Sequence, residues 1–394
     1  MAAALTPDAA RAATSSYLPD QKLGYSINWN LGVDRVLKND YTVEVRYLGT
    51  RGVHLIEQTQ LNRNVVVTAN HNLPLFMSQP AQFALDALPL TLAQLTSERD
   101  SAIGNPLLPY GFPLPITAYM PTGNSKYHGL AVDVTKRLSN RIFFKAGYTW
   151  SHLMDDSTAE VNSTSLSPRR PEDFRNLRKE WASSLLDRRH RASFAWQYDT
   201  PWFEKSSNPL LQKAVGNWLF SGAWIYESPE YATPQSAMDA NLNGDTATDR
   251  VAINTGGDRS LSSDVTALTS LRNGVNQTVA YLISNPNAYY VRARPGVYTT
   301  SGRNILPMRP VDNFDVSIGK IVPFTEHYKL EFRVDMYNAF NHPQYIPGRP
   351  DRVDNSLHSG ETNYLTPGNA VFAKWDQVYS SNPRQLQLTA KFKF

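Results

Sequence analysis

The sequence contains no cysteine among its 394 residues. This absence excludes cysteine-ligated zinc sites, thiol catalysis and disulfide-stapled scaffolds. The sequence also lacks an apolar run near the ~18 residues that a membrane-spanning helix needs, and its mean hydropathy is −0.42. Transmembrane helices are therefore not expected.

An excess of charge of one sign is missing as well. The chain has 39 basic and 35 acidic residues, a net charge of +4. No basic stripe marks a nucleic-acid-binding face, so we expect no nucleic acid as a partner. The N-terminal residues 1–21 lack the basic start and apolar core of a signal peptide. An exported chain of this kind would need its signal upstream.

Apolar and polar residues alternate with a period of two in about nine segments. Between Tyr328 and Met336 every second residue is apolar and the residues between them are charged. Successive side chains of a β-strand point to opposite faces, so each segment predicts a strand with one apolar and one polar face. The other eight segments contain Trp29, Val45, Val132, Phe144, Phe194, Phe220, Val316 and Leu388.

The lengths of the strands and of their connections predict the fold. Each strand is roughly 9–13 residues long, which suits a tilted membrane strand (~9–11) better than an average globular strand (~5–6). Short or moderate connections alternate with long ones, as in outer-membrane barrels with short periplasmic turns and long outer loops. The long connections are 54–124, 154–187, 229–310 and 340–382.

We therefore predict an all-β fold: part of an antiparallel transmembrane β-barrel of about nine to ten long strands. Residues 1–22 are expected to be a polar N-terminal segment, disordered or at the edge of a truncation, and residues 23–394 the C-terminal part of the barrel. The last strand ends at Phe394 on the short-turn side, so we expect a periplasmic C-terminus. Single-chain bacterial barrels normally have an even number of strands, so an odd nine implies a partner strand upstream.

One loop carries oxygen-bearing side chains at alternating positions. They belong to Asp239, Asn241, Asn243, Asp245 and Asp249. With Gly244 permitting a sharp turn, this pattern suits a hard cation such as Ca²⁺. The twelfth position of an EF-hand would be Glu, but here it is Arg250. The alternative is an Asx-rich turn that hydrogen-bonds its own backbone. Bound calcium would order an outer loop, and no other cofactor is expected to be required.

Charged residues on the polar faces of the strands are candidates for the lining of a polar lumen. They are Glu44, Arg46, Asp133, Lys145, Glu331, Arg333, Asp335, Lys391 and Lys393. Their mixed signs allow a second interpretation, in which they pair with each other across strands and select no ligand.

Two smaller clusters also allow a functional and a structural interpretation. His152 with Asp155 and Asp156 could form a metal or acid–base site, or serve as polar residues where a loop begins. The basic cluster around His190 could bind anionic lipopolysaccharide, or form a solvated strand start. Stretches 82–103 and 258–285 have mixed helical spacing and predict short helices. No catalytic motif stands out, so we do not expect an enzyme.

Three stretches resemble the C-terminal barrel of TonB-dependent outer-membrane receptors, particularly the Oar-like group. They are NFDVSIGKIVPFTEHYKLEFRVDMYNAFNHPQY, YHGLAVDVTKRLSNRIFFKAGYTWSHLMDD and the terminal strand RQLQLTAKFKF. The resemblance implies that Phe392 and Phe394 form an assembly signal for the barrel-assembly machinery. It also implies a plug domain, a TonB-contacting segment and a barrel of about 22 strands.

Neither the plug nor the TonB-contacting segment is visible in this sequence. The resemblance therefore implies energised uptake of a siderophore, carbohydrate or peptide for a parent protein that includes a missing N-terminal barrel and plug portion. Outer-membrane lipid and lipopolysaccharide are the expected surroundings. Two other functions stay open: an adhesion or structural barrel without transport, and a soluble carbohydrate-binding β protein or hydrolase.

Overall fold

Nine long strands form one antiparallel meander, in which each strand pairs with the next along the chain. The computed structural model describes residues 6–12, 15–17, 22–38, 40–157, 170–203, 206–246, 249–325, 328–345, 363–378 and 381–394. The strands are β1 (Tyr25–Leu37), β2 (Tyr41–Gln60), β3 (Thr117–Ser139), β4 (Ile142–Asp155), β5 (His190–Asp199), β6 (Trp218–Glu227), β7 (Val311–Pro323), β8 (Lys329–Tyr337) and β9 (Gln385–Lys393). The predicted nine-stranded pattern is confirmed.

The pairing register places the alternating apolar sets of all nine strands on one face. One cross-strand row runs from Val33 through Val45 and Val132 to Tyr148. These apolar side chains are most exposed on the edge strands, which have a neighbour on one side only. Leu388 on the edge strand β9, for example, is 79% exposed. A continuous exposed apolar face of this extent marks a surface that contacts lipid or another apolar partner.

Among the described residues, no helix is long and apolar enough to cross a membrane.

The strands β2 and β3 are longer than the sequence pattern predicted, with 20 and 23 residues. Their additional residues, 54–60 and 117–124, pair with each other beyond the last β1 partner of β2, Val53. We call these residues the outer extension. The register shifts twice there, between Gly52 and Glu57. A tilted strand crosses the hydrocarbon core in about 9–11 residues. The outer extension begins 13 residues after the short turn at Tyr41, so it lies beyond the membrane-spanning part of the strand.

The sheet has two open edges, since β1 and β9 each pair on one side only within the described residues. Two short strands attach elsewhere. Ser15–Tyr17 pairs in parallel with the outer extension, and Ala182–Ser183 pairs with the end of β4. A helix covers Pro7–Ala12. The predicted division of the chain after residue 22 stays a prediction.

The long connections fold together into a second unit with its own core, the outer module (residues 61–116, 170–187, 228–310 and 363–378). Leu73, Leu95, Leu242 and Val297 are almost fully buried in one cluster. A second cluster gathers Leu306, Leu365 and Trp375. The strands of the outer module are Leu75–Phe76, Tyr231–Ala232, Ala252–Ile253, Asp258–Ser263, Val265–Arg272, Val275–Ile283, Ala288–Val291 and Leu306–Pro307.

The helices of the outer module are short. They are Gln82–Asp86, Leu92–Arg99 and Trp375–Val378, with 3-10 turns at Leu108–Tyr110, Leu177–Lys179 and Asn363–Leu365. Thr91 and Gln94 form a capping box that begins the second helix. The connection between β5 and β6 carries one more helix, Pro209–Val215.

The prediction of short helices is confirmed for 82–103 and is wrong for 258–285. The second stretch contains a β-hairpin, with Val265–Arg272 paired to Val275–Ile283. Asn273 and Gly274 form its two-residue turn with φ of 50° and 78°. Positive φ at both turn residues is the Asn-Gly hairpin signature, and it outweighs the mixed helical spacing of the flanking residues.

Candidate functional site

The structure brings all nine predicted lumen residues to the polar face of the sheet, opposite the apolar face. Glu44 lies opposite Asp133, and Glu331 lies opposite Lys391. The strand register places the remaining five on the same face. They are Arg46, Lys145, Arg333, Asp335 and Lys393. Whether this face lines a lumen stays a prediction.

Six of the nine form ion pairs with one another, but only one of the three pairs joins two strands, as the second interpretation expected. Lys393 Nζ lies 2.6 Å from Glu331, and Arg333 Nε lies 2.8 Å from Asp335. Arg46 pairs with Glu44, two residues away on β2. An opposite-charge pair across two strands stabilises their pairing only modestly, and here that applies to Lys393 with Glu331 alone. All six charges are partly neutralised by a neighbour, which leaves fewer free charges for a ligand.

A cavity of about 510 Å³ opens on the polar face towards the outer loops. Asp133, Thr149 and Arg191 line it from the strands, and Asp187 and Arg188 line it from the connection before β5. The predicted wall residue Asp133 therefore borders an open cavity on the polar face.

The basic cluster around His190 is largely neutralised by acidic neighbours. Arg188 contacts Glu227 at 3.4 Å and also pairs with Glu230. Arg191 lies 2.6 Å from Glu227. This arrangement favours the structural interpretation of the cluster over a lipopolysaccharide site.

The structure does not bring His152, Asp155 and Asp156 together. His152 Nε2 lies 3.0 Å from the Ser183 hydroxyl, whereas the Asp155 carboxylate pairs with Arg303. Asp156 instead accepts a 2.6 Å hydrogen bond from the Asn124 amide. Burial raises the pKa of Asp156, although the Asn124 hydrogen bonds oppose that shift.

The five residues of the predicted calcium loop do lie together, buried in the outer module. Gly244, at φ 82°, donates its amide to Asp239 Oδ2 at 3.0 Å. The Asn241 amide donates to Asp249, and the Asp245 amide donates to Asn243. The Asp245 contact is an Asx turn of the alternative interpretation, as is the hydrogen bond from the Asn243 amide to Asn241 Oδ1. The other two contacts span five and eight residues and close the loop on itself.

The charges of the loop are partly compensated by arginine. Arg170 donates two hydrogen bonds to Asp245, at 2.6 and 2.8 Å. Burial raises the pKa of Asp239 and of Asp249, and nearby Glu172 raises the pKa of Asp249 further. Asp239 Oδ1 is buried without a hydrogen-bond partner.

Within the described ranges, no three His, Asp or Glu side chains are grouped to hold a metal ion. A cation in this loop would therefore need amide or carbonyl oxygens as well as carboxylates. Calcium at this loop stays a prediction.

Two buried ion pairs that the sequence reasoning missed stabilise the outer module and its contact with the barrel wall. Arg250 pairs with Glu180, and its amide donates to Glu172 at 3.0 Å. Arg303 of the outer module pairs with Asp155 at the end of β4. Breaking one partner of such a pair typically costs about 3–5 kcal/mol, so Arg250 with Glu180 stabilises the outer module itself, and Arg303 with Asp155 holds it against the sheet.

Glu57 of the outer extension is a further buried carboxyl that the sequence reasoning missed. It is 2% exposed, and Thr122 donates a 2.6 Å hydrogen bond to it. Burial raises the pKa of Glu57 to about 7, against the Thr122 hydrogen bond, and Asp156 and Glu180 raise it further. The carboxyl is therefore partly protonated near neutral pH.

A second cavity, of about 700 Å³, lies in the outer module. Tyr231, Tyr289 and Tyr290 line it together with Arg189 and Arg259. Asp187 borders both this cavity and the one on the polar face. In the sequence, the adjacent Tyr289 and Tyr290 were the only visible sign of this cavity. The sequence reasoning missed the cavity because its lining residues lie far apart along the chain.

The terminal strand places its aromatic residues on the surface. Phe392 is 54% exposed and Phe394 is 93% exposed, with ring centroids 6.3 Å apart. Tyr328 stacks on Phe392 at 5.8 Å. The assignment of Phe392 and Phe394 as an assembly signal stays a prediction.

A family model described as the outer membrane beta barrel domain matches residues 2–387. The chain belongs to this family. Its nine-stranded sheet is thus part of an outer-membrane β-barrel, which agrees with the all-β fold predicted from the alternating segments. No functionally curated protein matches the sequence.

Several solved outer-membrane proteins share a distant likeness. The outer membrane transporter YddB from Escherichia coli is 7% identical, with a TM-score of 0.40 over 98% of this chain and 36% of its own. The ferric preacinetobactin receptor BauA from Acinetobacter baumannii is 11% identical, with a TM-score of 0.38 over 94% of this chain and 29% of its own.

The ferric-catecholate import receptor Fiu from E. coli K12 is 11% identical, with a TM-score of 0.39 over 98% of this chain and 31% of its own. The chain spans about a third of the length of these structures. Their TM-scores are too low to support a functional conclusion.

Proposed function

We propose that the chain is part of a TonB-dependent outer-membrane receptor that takes up a small ligand, a siderophore, carbohydrate or peptide. The observation that carries the proposal is the division of one sheet into a lipid-suited apolar face and a polar face that borders a cavity of about 510 Å³. Such a wall encloses polar space within a membrane.

The outer module supports a receptor function. It is folded around its own buried clusters and contains an open cavity of about 700 Å³. Loops that only connect strands need no such core, whereas a ligand site needs rigid walls. We propose that the outer module faces the cell exterior and the short turns face the periplasm, with the C-terminus on the periplasmic side.

The open edges indicate how the barrel closes. Exposed backbone edges do not occur in the hydrocarbon core, because unpaired amides and carbonyls there cost several kcal/mol each. We therefore propose that further strands pair with β1 and β9 in the intact barrel.

A structural or adhesion barrel is the second candidate, and the ion pairs on the polar face favour it. Six predicted lumen residues contact each other, which leaves fewer charges for a ligand. A barrel of this kind would bind partners through the outer module and transport nothing.

Deletion of the gene in its source bacterium separates the two functions. Growth would be measured with iron, an oligosaccharide or a peptide as the limiting nutrient, with and without a protonophore. A receptor predicts a growth defect on one nutrient, and protonophore-sensitive uptake of that nutrient by the parent strain. Unchanged growth on all three, with reduced attachment to surfaces, would establish the adhesion function instead.

A further inference from the structure

The cavity of the outer module is rich in hydrogen-bond donors. The Thr300 hydroxyl oxygen accepts the Ile253 amide at 2.8 Å, and the Ser301 hydroxyl oxygen accepts the Val251 amide at 3.2 Å. Because each oxygen already accepts a backbone hydrogen bond, each hydroxyl hydrogen is left to donate. Ser301 is 7% exposed, so its hydroxyl belongs to the built wall of the cavity.

Arginine side chains give this cavity a positive character. The Arg259 guanidinium lies 4.9 Å from the Tyr289 ring centroid. No carboxylate within the described part of the chain forms an ion pair with Arg259. Arg189 contacts Asp187 at 3.3 Å, which compensates one of the two positive charges. The lining thus retains one net positive charge beside an aromatic ring.

Aromatic side chains supply flat apolar surface in the same cavity. Tyr231 is 37% exposed, and Tyr290 is 3% exposed and packs against Phe372 at 5.4 Å. Burial raises the pKa of the Tyr290 hydroxyl, so it remains a protonated donor at neutral pH. Tyrosine rings offer large rigid contact area at a low entropic cost.

We infer that this cavity binds an acidic sugar or a short acidic oligosaccharide. Sugar hydroxyls and ring oxygens accept hydrogen bonds from Thr300 and Ser301, the carboxylate pairs with Arg259, and the apolar sugar face packs on a tyrosine ring. The volume of about 700 Å³ lies within the ~300–1,000 Å³ typical of small-ligand sites. The inference rests on the proposed receptor function and names the class of its ligand.

Isothermal titration calorimetry on the full chain in detergent micelles tests this inference with three probes: digalacturonate, the neutral disaccharide maltose and inorganic phosphate. We expect digalacturonate to bind at least tenfold more tightly than either other probe. Binding should weaken as sodium chloride rises, because the pairing with Arg259 is screened. Equal binding of maltose and digalacturonate, or tighter binding of phosphate alone, would overturn the inference.

Two matched variants locate the site. Arg259→Met should weaken digalacturonate binding at least tenfold. Arg175→Met serves as the control, because Arg175 also lies over an aromatic ring, Phe174 at 5.7 Å, outside the cavity. Equal affinities of Arg259→Met and the parent chain would contradict the inference, as would equal losses in both variants.

The growth assay of the gene deletion does not depend on this ligand class. A protein that supports uptake of a siderophore and does not bind digalacturonate refutes the inference and leaves the receptor function intact. A protein that binds digalacturonate without any uptake phenotype refutes the receptor function alone.

Discussion

The sheet and the outer module use apolar residues in opposite ways. On the sheet they face outward and stay exposed, as Leu31 does at 73%, whereas in the outer module Leu95 is 0% exposed. The sheet thus relies on lipid to cover its apolar face, and the outer module relies on its own core. The difference shows that one chain combines a membrane-facing sheet with a unit that has its own buried core, and the buried ion pair between Arg303 and Asp155 joins the two.

Truncating a core residue of the outer module should produce the largest effect. Leu95→Ala should reduce the free energy of opening the outer module by about 2–5 kcal/mol, because it leaves a cavity that the neighbours cannot fill. Hydrogen exchange of the outer-module amides in lipid nanodiscs measures this value. Leu388→Ala on the apolar face is the control, where lipid can fill the space. Similar losses of protection in both variants would contradict the contrast between the two regions.

A charge on the apolar face should destabilise the sheet nearly as much. Leu31→Arg near the middle of β1 should cost about 2–4 kcal/mol in a bilayer, because the guanidinium must leave water. Asn30→Arg, one residue earlier on the polar face, is the matched variant and should cost little. Urea titrations of folding into lipid vesicles, followed by heat-modifiable electrophoretic migration, compare the two. Equal midpoints would show that the two faces have the same surroundings.

Glu57 should make the stability of the outer extension depend on pH. Its folded-state pKa of about 7 lies above the usual 4.5, so the folded state holds the proton more tightly. The stabilisation is full below pH 4.5 and is lost as pH rises through 7, a change of roughly 3 kcal/mol at most. Glu57→Gln keeps the group neutral and should lose this dependence. Thermal unfolding at pH 5 and pH 8 measures both chains, and parallel shifts would contradict the assignment.

The predicted calcium loop should give the smallest effect on stability. At a hundredfold excess over its Kd, a bound ion would stabilise the outer module by about 2–3 kcal/mol. Limited proteolysis with calcium or with chelator should show faster cleavage near residues 239–249 under chelator. Asp249→Asn should abolish the difference, and Asp258→Asn, in an exposed strand outside the loop, should retain it. Cleavage that is unaffected by chelator would disprove the site.

Period-two alternation predicted the sheet because burial on one face is encoded locally in each strand. Leu330, Phe332 and Val334 alternate with charged neighbours whether or not the adjacent strands are known. The outer extension escaped prediction because Pro121, Gly123 and Asn124 interrupt the pattern there. Its strands are held by pairing with each other.

The outer module could not be predicted, since its core joins residues far apart in sequence. Leu73 packs with Leu242 and Val297 across separate loops, and local periodicity carries no information on such contacts. The same holds for the cavity, where Arg189 and Arg259 belong to different connections. The calcium-like spacing was visible because its residues are close together in the sequence. The contact of Arg170 with Asp245 was not visible, because the two residues are 75 positions apart.

Cysteine accessibility on adjacent residues of β7 tests the two-faced membrane wall most directly, since the native chain contributes no cysteine. Val316 lies in the apolar row opposite Gly222, and Ser317 lies in the polar row opposite Ser221. In lipid vesicles, Ser317→Cys should react with a charged water-soluble maleimide. Val316→Cys should resist it and, once labelled with an apolar fluorophore, be quenched by doxyl-labelled lipid. Equal aqueous reactivity of the two cysteines, or lipid quenching at position 317 alone, would contradict the account.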